Sequence, residues 1–319
     1  MSKYKALPME FDELRTVSIH DRGGKVCVED FARVYKPGAG ISAWLASLPH
    51  ILAGDSFRAL VEAMVAARAA SKPIIWGLGG HVIKCGLAPV LIDLMQRGFA
   101  TAFAMNGAAS IHDFEIAIAG QTSEDVEAVL PDGRFGSAEE TGREWNQAAI
   151  FGDSEDIGLG EALGRRLDAI ADPRFAGQSL LVAAWRNSTP VTVHVAIGTD
   201  TPHAHPDADG GAIGRTSHRD FRLLCTLVAA MDRGGVYINA GSAVVLPEVF
   251  LKVVSVVRNL GYPLAEFTTA NLDFLQHYRP RVNVVERPHA KAGGRGLAIT
   301  GHHEIMIPLL AAALVEAGS

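Results

Sequence analysis

The sequence is short of cysteine: its 319 residues hold three, Cys27, Cys85 and Cys225, far apart and odd in number. That excludes a disulfide framework and a CxxC zinc motif, and makes a reducing cytoplasm the expected compartment. Aromatic residues are also scarce, 7% against 48% apolar residues overall. With abundant Ala and Gly, this favours a packed α/β enzyme over an all-β shell. There is no basic block and the net charge is −6, so the electrostatic footprint of a nucleic-acid binder is missing. Long apolar runs are missing too. "IMIPLLAAALVEA", near the C-terminus, is too short to span a bilayer and reads as a buried terminal helix. "MSKYKALPMEFDELRTVSIHDRGG" has no apolar core of a signal peptide, so no membrane partner is expected. Repeats, low-complexity tracts and long Pro/Ser/Gly linkers are lacking. The expectation is one α/β domain over residues 1–319, with an N-terminal extension over about 1–40 and a polar, helical insertion over about 121–175.

What is present alternates. Apolar runs at 72–79, 100–107, 190–198, 235–241 and 264–271 are short and end in Gly, Asn or a polar turn, as strands do. Helical periodicity follows most of them, in "LAPVLIDLMQRG", "FRLLCTLVAAMDRGG" and "PEVFLKVVSVVRNLG", each closed by glycine. Strands joined through helices need crossover connections, which predicts a largely parallel, Rossmann-like sheet with helices on both faces. In such a sheet ligands gather at the carboxyl ends of the strands. Four unusual turns fall there: "GLGGHVIKCG" (77–86), "NGAASIHDFE" (106–115), "GTDTPHAHPDADGG" (198–211) and "NAGSAVVLPE" (239–248). None is a GxGxxG or a Walker loop. Their common edge is the signal, because glycine turns let backbone amides approach a phosphate beside a helix N-terminus.

Three histidines and three aspartates crowd into sixteen residues from His194 to Asp209. In an extended loop His203, His205, Asp207 and Asp209 would face one way, as ligands to a divalent zinc, iron or manganese ion. The competing readings are a polar loop whose residues never converge, and carboxylates that hold an amine. Lys84, beside Cys85, is a candidate nucleophile or a solvated lysine, and Lys291 is a second candidate in a glycine-rich loop. His302 and His303 open the terminal helix with Glu304, as general bases or as part of a helix cap.

Three segments resemble the deoxyhypusine synthases, a family that includes homospermidine-synthase-like members. "GGHVIKCGLAPVLIDLMQRGFATAFAMNGAASIHDFEIAI" is similar to their nucleotide-binding half, with Asn106-Gly107-Ala108-Ala109 at the family's glycine turn and His112-Asp113 at its acidic pair. "SLLVAAWRNSTPVTVHVAIGTD" places Thr199 and Asp200 on the family's Thr-Asp. "ERPHAKAGGRGLAITGHHEIMIPLLAAAL" resembles its Arg-Pro segment and closing helix. The resemblance implies NAD, a small amine or polyamine substrate, aminoalkyl transfer and a homotetramer. It implies cofactor contacts at Gly79, Gly80, His81, Asn106, Gly107, Asp113, Thr199 and Asp200; substrate contacts are expected at His205, Asp207 and Asp209, which stand where the family has its substrate-side loop although the residues are not the family's, and at Asn239. Three motifs differ: Asn239 and Ala240 stand where the family has Lys-His-His, no Trp-Gly-Lys follows the Arg-Pro, and the sequence after Asp200 lacks the family's Gly-Ser-x-Gly-Asp run. The alternatives to an NAD-binding amine transferase are a metal-dependent hydrolase or lyase using the 200–209 loop, and a non-catalytic small-molecule binder.

Overall fold

Six short segments pair into one all-parallel sheet in the computed structural model, which describes residues 3–318. They are β1 (Ile74–Leu78), β2 (Ala102–Asn106), β3 (Val191–His194), β4 (Val236–Ala240), β5 (Thr268–Asp273) and β6 (Arg295–Thr300), in the order β3-β2-β1-β4-β5-β6. That is the Rossmann order, whose direction reverses between β1 and β4. Residues along β1 alternate between the two faces: Ile74, Trp76 and Leu78 join one core cluster and Ile75 the other.

Helices cover both faces. The first layer contains α2 (Leu52–Ala69), following α1 (Gly40–Ser47), then α3 (Gly80–Lys84), α4 (Ala88–Gln96) and α5 (Gly107–Ala119). It is completed by α6 (Glu139–Ser154), α7 (Leu159–Ile170), α8 (Leu180–Arg186) and the closing α11 (His303–Ala317). Leu224, Val228, Phe250 and Val253 pack the opposite face from α9 (Gly210–Ala229) and α10 (Val245–Asn259).

Two strand boundaries differ from the sequence reading. Leu264 and Glu266 have φ of 42° and 52°, so the run that starts at 264 turns first, and pairing begins at Thr268. The run from 190 leaves the sheet after His194. β6 was not anticipated at all. It is an edge strand with alternating exposure behind Gly293 and Gly294, which read as a loop. The segment 121–175 carries α6, α7 and shorter helical turns, and no strand among the described residues. Of the N-terminal extension, residues 1 and 2 lie outside the described residues; residues 3–39 hold one short 3-10 turn, Val28–Asp30, and are exposed almost throughout. Among the described residues no helix is long and apolar enough to cross a membrane.

Candidate functional site

The four turns singled out in the sequence do share the carboxyl edge of the sheet, because they follow β1, β2, β3 and β4. At the β1/β4 reversal two of them touch. The Gly79 amide donates to the Ala240 carbonyl at 2.8 Å, and a Cβ on Gly79 would sit 2.0 Å from the Gly241 carbonyl oxygen. Glycine at 79 is therefore demanded by this loop contact. His303 stands beside it, its ring carbon 3.2 Å from where a Cβ on Gly241 would be. It is 1% exposed, and its Nε2–H donates to the Leu272 carbonyl at 3.0 Å. Nδ1 is then an acceptor, buried and without a partner among the described residues.

The larger concavity lies at the β2 and β3 ends, under the insertion. Three adjoining cavities of about 600, 380 and 190 Å³ run along it. The smallest is lined by Ala108, His112, Glu115, Glu124, Gly136 and Asp200, among others. Asp200 presses on the start of α5: a Cβ on Gly107 would fall 2.0 Å from its Oδ2. Its side chain is 7% exposed, and Oδ2 is buried with no hydrogen-bond partner among the described residues. Burial pushes this carboxyl up to about 6, with the Thr199 hydroxyl pulling the other way. His203 Nδ1 accepts the Gly198 amide at 3.1 Å, so its proton is on Nε2, which is buried, unpartnered and 4.0 Å from Asp200 Oδ2.

On the opposite wall His112, Thr122 and Glu115 form a relay. The Thr122 hydroxyl donates to Glu115 Oε2, so at 2.7 Å it accepts from His112 Nδ1–H. Nε2 of His112 is thereby left as the basic nitrogen. Burial, helped by the Lys84 charge, lowers His112 to about 4, which keeps it neutral near pH 7. Thr141 adds a 3.3 Å bond to Glu115 from α6. His112, Glu115 and Glu124 were not among the site residues expected from sequence. The signal available was the helical spacing of His112 and Glu115 on one turn, but Thr122 and the insertion that complete the wall are invisible to spacing.

Several expected residues have structural duties instead. Asp113, fully buried, caps α8: its carboxylate accepts from Ser179 Oγ at 2.6 Å and from the Leu180 and Leu181 amides at 2.7 and 2.9 Å. Burial still raises it to about 6. Asn106 caps α5 through the Ala109 amide, and Asp209 caps α9 through the Gly211 and Ala212 amides. Asn239 is buried within β4 and donates to the Ser242 carbonyl and to Asn271. Asp207 is exposed, Thr199 turns its hydroxyl to the Ala196 carbonyl, and Gly80 packs against Ala108 and His112.

Two expectations are corrected. Among the described residues His203 and His205 are not brought together as ligands of one metal. Residues Thr201–Ala204 form a 3-10 turn, not an extended strand, so the expected alternation is lost. His203 goes to Asp200 and the edge of Trp145, while His205 packs on Gly142 with Nε2 3.5 Å from Glu139. Among the described residues one group of metal-ligand type does converge, His81, Cys85 and Glu304. Lys291 likewise leaves the site. Ala292 accepts from the Glu266 amide just ahead of β5, and β6 starts only at Arg295, so Lys291 lies at the amino edge of the sheet, opposite the cleft. Lys84 is exposed on the last turn of α3, and His302 is exposed and stacked on Phe274. His81 is exposed with Nε2 3.3 Å from Cys85 Sγ; burial and the Glu304 carboxylate raise the Cys85 thiol above its ordinary value.

The fold and edge define a Rossmann-like α/β protein with its concavities at the carboxyl ends of the strands. No family model matches the chain, and no curated protein sequence does. Solved structures share the architecture. A conserved protein from Methanococcus maripaludis S2, assigned to the LOR/SDH type, aligns over 90% of this chain and 75% of its own, at 14% identity and a TM-score of 0.50. AgrE, in a ternary complex with ornithine and NAD+, aligns over 84% of this chain at 14% identity and a TM-score of 0.51. This chain spans 34% of the AgrE chain. A protein from Entamoeba histolytica assigned as a deoxyhypusine synthase aligns over 90% of this chain and 98% of its own, at 10% identity and a TM-score of 0.49. At these identities the likeness is one of fold, and it rests on the first two.

Proposed function

We propose that this chain is an NAD-dependent enzyme acting on a small amine, with the ammonium group held at Asp200. The observation that carries the reading is the Asp200 carboxyl, which lines a cavity together with His112, neutral near pH 7, and whose buried Oδ2 has no hydrogen-bond partner among the described residues. An acceptor of that kind costs about 1–3 kcal/mol when left unpaired, and more when charged, so a cationic donor is the natural complement. Glu115 and Glu124 extend the negative lining along the same cavity. The neighbour solved with ornithine and NAD+ gives the reading its ligand classes.

NAD belongs at the β1/β4 crevice, where this fold takes dinucleotides. The residues there fit it: His303 Nδ1 is a buried acceptor without a donor, suited to a ribose hydroxyl or a carboxamide N–H, and the Gly79 and Gly80 backbone borders it. When bound, NAD supplies a hydride acceptor. Asp200 binds and orients the amine, and His112 Nε2 takes the proton that the nitrogen must lose. Thr122 and Glu115 fix the His112 tautomer for that task. Aminoalkyl transfer through Lys291 is not part of this reading, since Lys291 lies at the far edge.

The test is to titrate NAD+ into the purified chain, add ornithine or spermidine, and follow the absorbance of reduced nicotinamide. Binding of both with slow reduction supports the reading. Absence of NAD+ binding would overturn the cofactor assignment, and retention of amine without reduction would make the chain a binding protein.

A further inference from the structure

His81 and Cys85 stand one helical turn apart on α3, joined by the Cys85 amide to His81 carbonyl bond at 2.9 Å. The third member arrives from the far end of the chain. β6 runs parallel to β5 and ends at Thr300, and the turn at Gly301 and His302 sets Glu304 in the first turn of α11. The resulting distances are 3.3 Å from His81 Nε2 to Cys85 Sγ and 3.8 Å from Cys85 Sγ to Glu304 Oε2, residues 219 apart in sequence. All three ligand atoms lie within 4.8 Å of one another.

Those lengths have a meaning for zinc. Bonds of about 2.0–2.3 Å at tetrahedral angles put neighbouring ligand atoms about 3.3–3.8 Å apart. These two distances already match that figure, and His81 and Glu304 both lie exposed at the surface. The donor set, one imidazole nitrogen, one thiolate sulfur and one carboxylate oxygen, is one that zinc accepts, whereas calcium and magnesium sites are built from oxygens.

We infer that His81, Cys85 and Glu304 form a binding site for a zinc-class divalent cation, with three protein ligands and a fourth position open to water or a small ligand. The site sits on the rim between α3 and α11, next to His302, whose Nδ1 is 3.8 Å from Glu304 Oε1, and with the His81 ring 5.6 Å from that of His303. It goes beyond the amine reading and is independent of it, since neither Asp200 nor His112 belongs to it.

The experiment is a titration of the full chain with Co2+ and with Zn2+ in the absence of NAD and amine. About one equivalent of Co2+ should bind and give a thiolate-to-cobalt charge-transfer band in the near ultraviolet, and Zn2+ should displace it. C85S should abolish the band, and H81A and E304Q should each weaken Co2+ binding roughly tenfold or more. The double variant H203N/H205N should bind as the unaltered chain does. Circular dichroism checks that each variant is folded, and E304Q, a change at an exposed position, keeps the test valid if C85S is not. The inference fails if Co2+ gives no thiolate band, or if the band and affinity survive both C85S and E304Q.

Discussion

The carboxylate of Asp200 occupies the space that a side chain on Gly107 would need, with Oδ2 2.0 Å from the point where that Cβ would be. The glycine at the start of α5 is thus explained by the carboxylate and not by a phosphate. An anion already sits at this helix end, which disfavours a second anion there. G107A should force Asp200 away, costing about 1–3 kcal/mol of stability and most of the amine binding. In a D200A background the same substitution should cost much less. A double-mutant cycle by denaturant unfolding checks this, and additive effects would count against the contact.

His112 is the proposed proton acceptor, and its Nδ1–H is committed to Thr122. H112Q should leave NAD+ and amine binding within about twofold and lower kcat by roughly 10²–10⁴. Because burial holds His112 near 4, it stays neutral through the range where Asp200, near 6, titrates. Amine binding to the wild type should therefore rise with pH through about 6 and level off above it. The rise belongs to Asp200 and should vanish in D200N, as pH-resolved calorimetry would show.

Asp113 answers for a helix end. D113A leaves the Leu180 and Leu181 amides and the Ser179 hydroxyl without their acceptor inside the core. A loss of roughly 3 kcal/mol is expected in urea unfolding. NAD+ affinity of the folded fraction should be unchanged; a selective loss of NAD+ binding at full stability would restore the cofactor role.

Asp220 sets a pH dependence of stability. Its Oδ2 accepts the Gly160 and Val193 amides at 2.8 Å, while Oδ1 is buried without a partner. Burial raises this carboxyl from 3.8 to about 7. The folded state then holds a proton that the unfolded chain has released, so the stabilisation is fully present below about 4 and is lost as pH rises through about 7. The slope approaches about 1.4 kcal/mol per pH unit between those limits. D220N removes this titration, so the stability of the wild type relative to the variant should fall from pH 4 to pH 7 and be flat from pH 8. Thermal melts of both across that range measure it.

The strand–helix alternation was legible because each buried parallel strand is a short apolar run closed by a turn residue, and β1, β2 and β4 appear within two residues of where the sequence placed them. β6 escaped because an edge strand needs few apolar residues, and its Arg295 and Gly296 look like loop. Asp200 was legible from its position after a strand. His112 and Glu115 were not, since their wall depends on Thr122 and Thr141 from the insertion. The His-Asp loop misled because alternation implies a common face only in extended chain, and Thr201–Ala204 is a 3-10 turn in which the Pro202 carbonyl is held by Asn146. Lys291 misled for a simpler reason: without β6, nothing in the sequence tells which edge of the sheet a glycine-rich loop joins.

The central claim is that Asp200 holds an amine beside a bound NAD. Calorimetric titration of ornithine and spermidine into NAD+-saturated wild type and D200N tests it most directly. Equal NAD+ affinity is expected in the two proteins, with amine binding in the wild type and a loss of roughly 2–3 kcal/mol, or about 30- to 150-fold, in D200N. Equal amine affinity in both proteins, or no NAD+ binding in either, would contradict it.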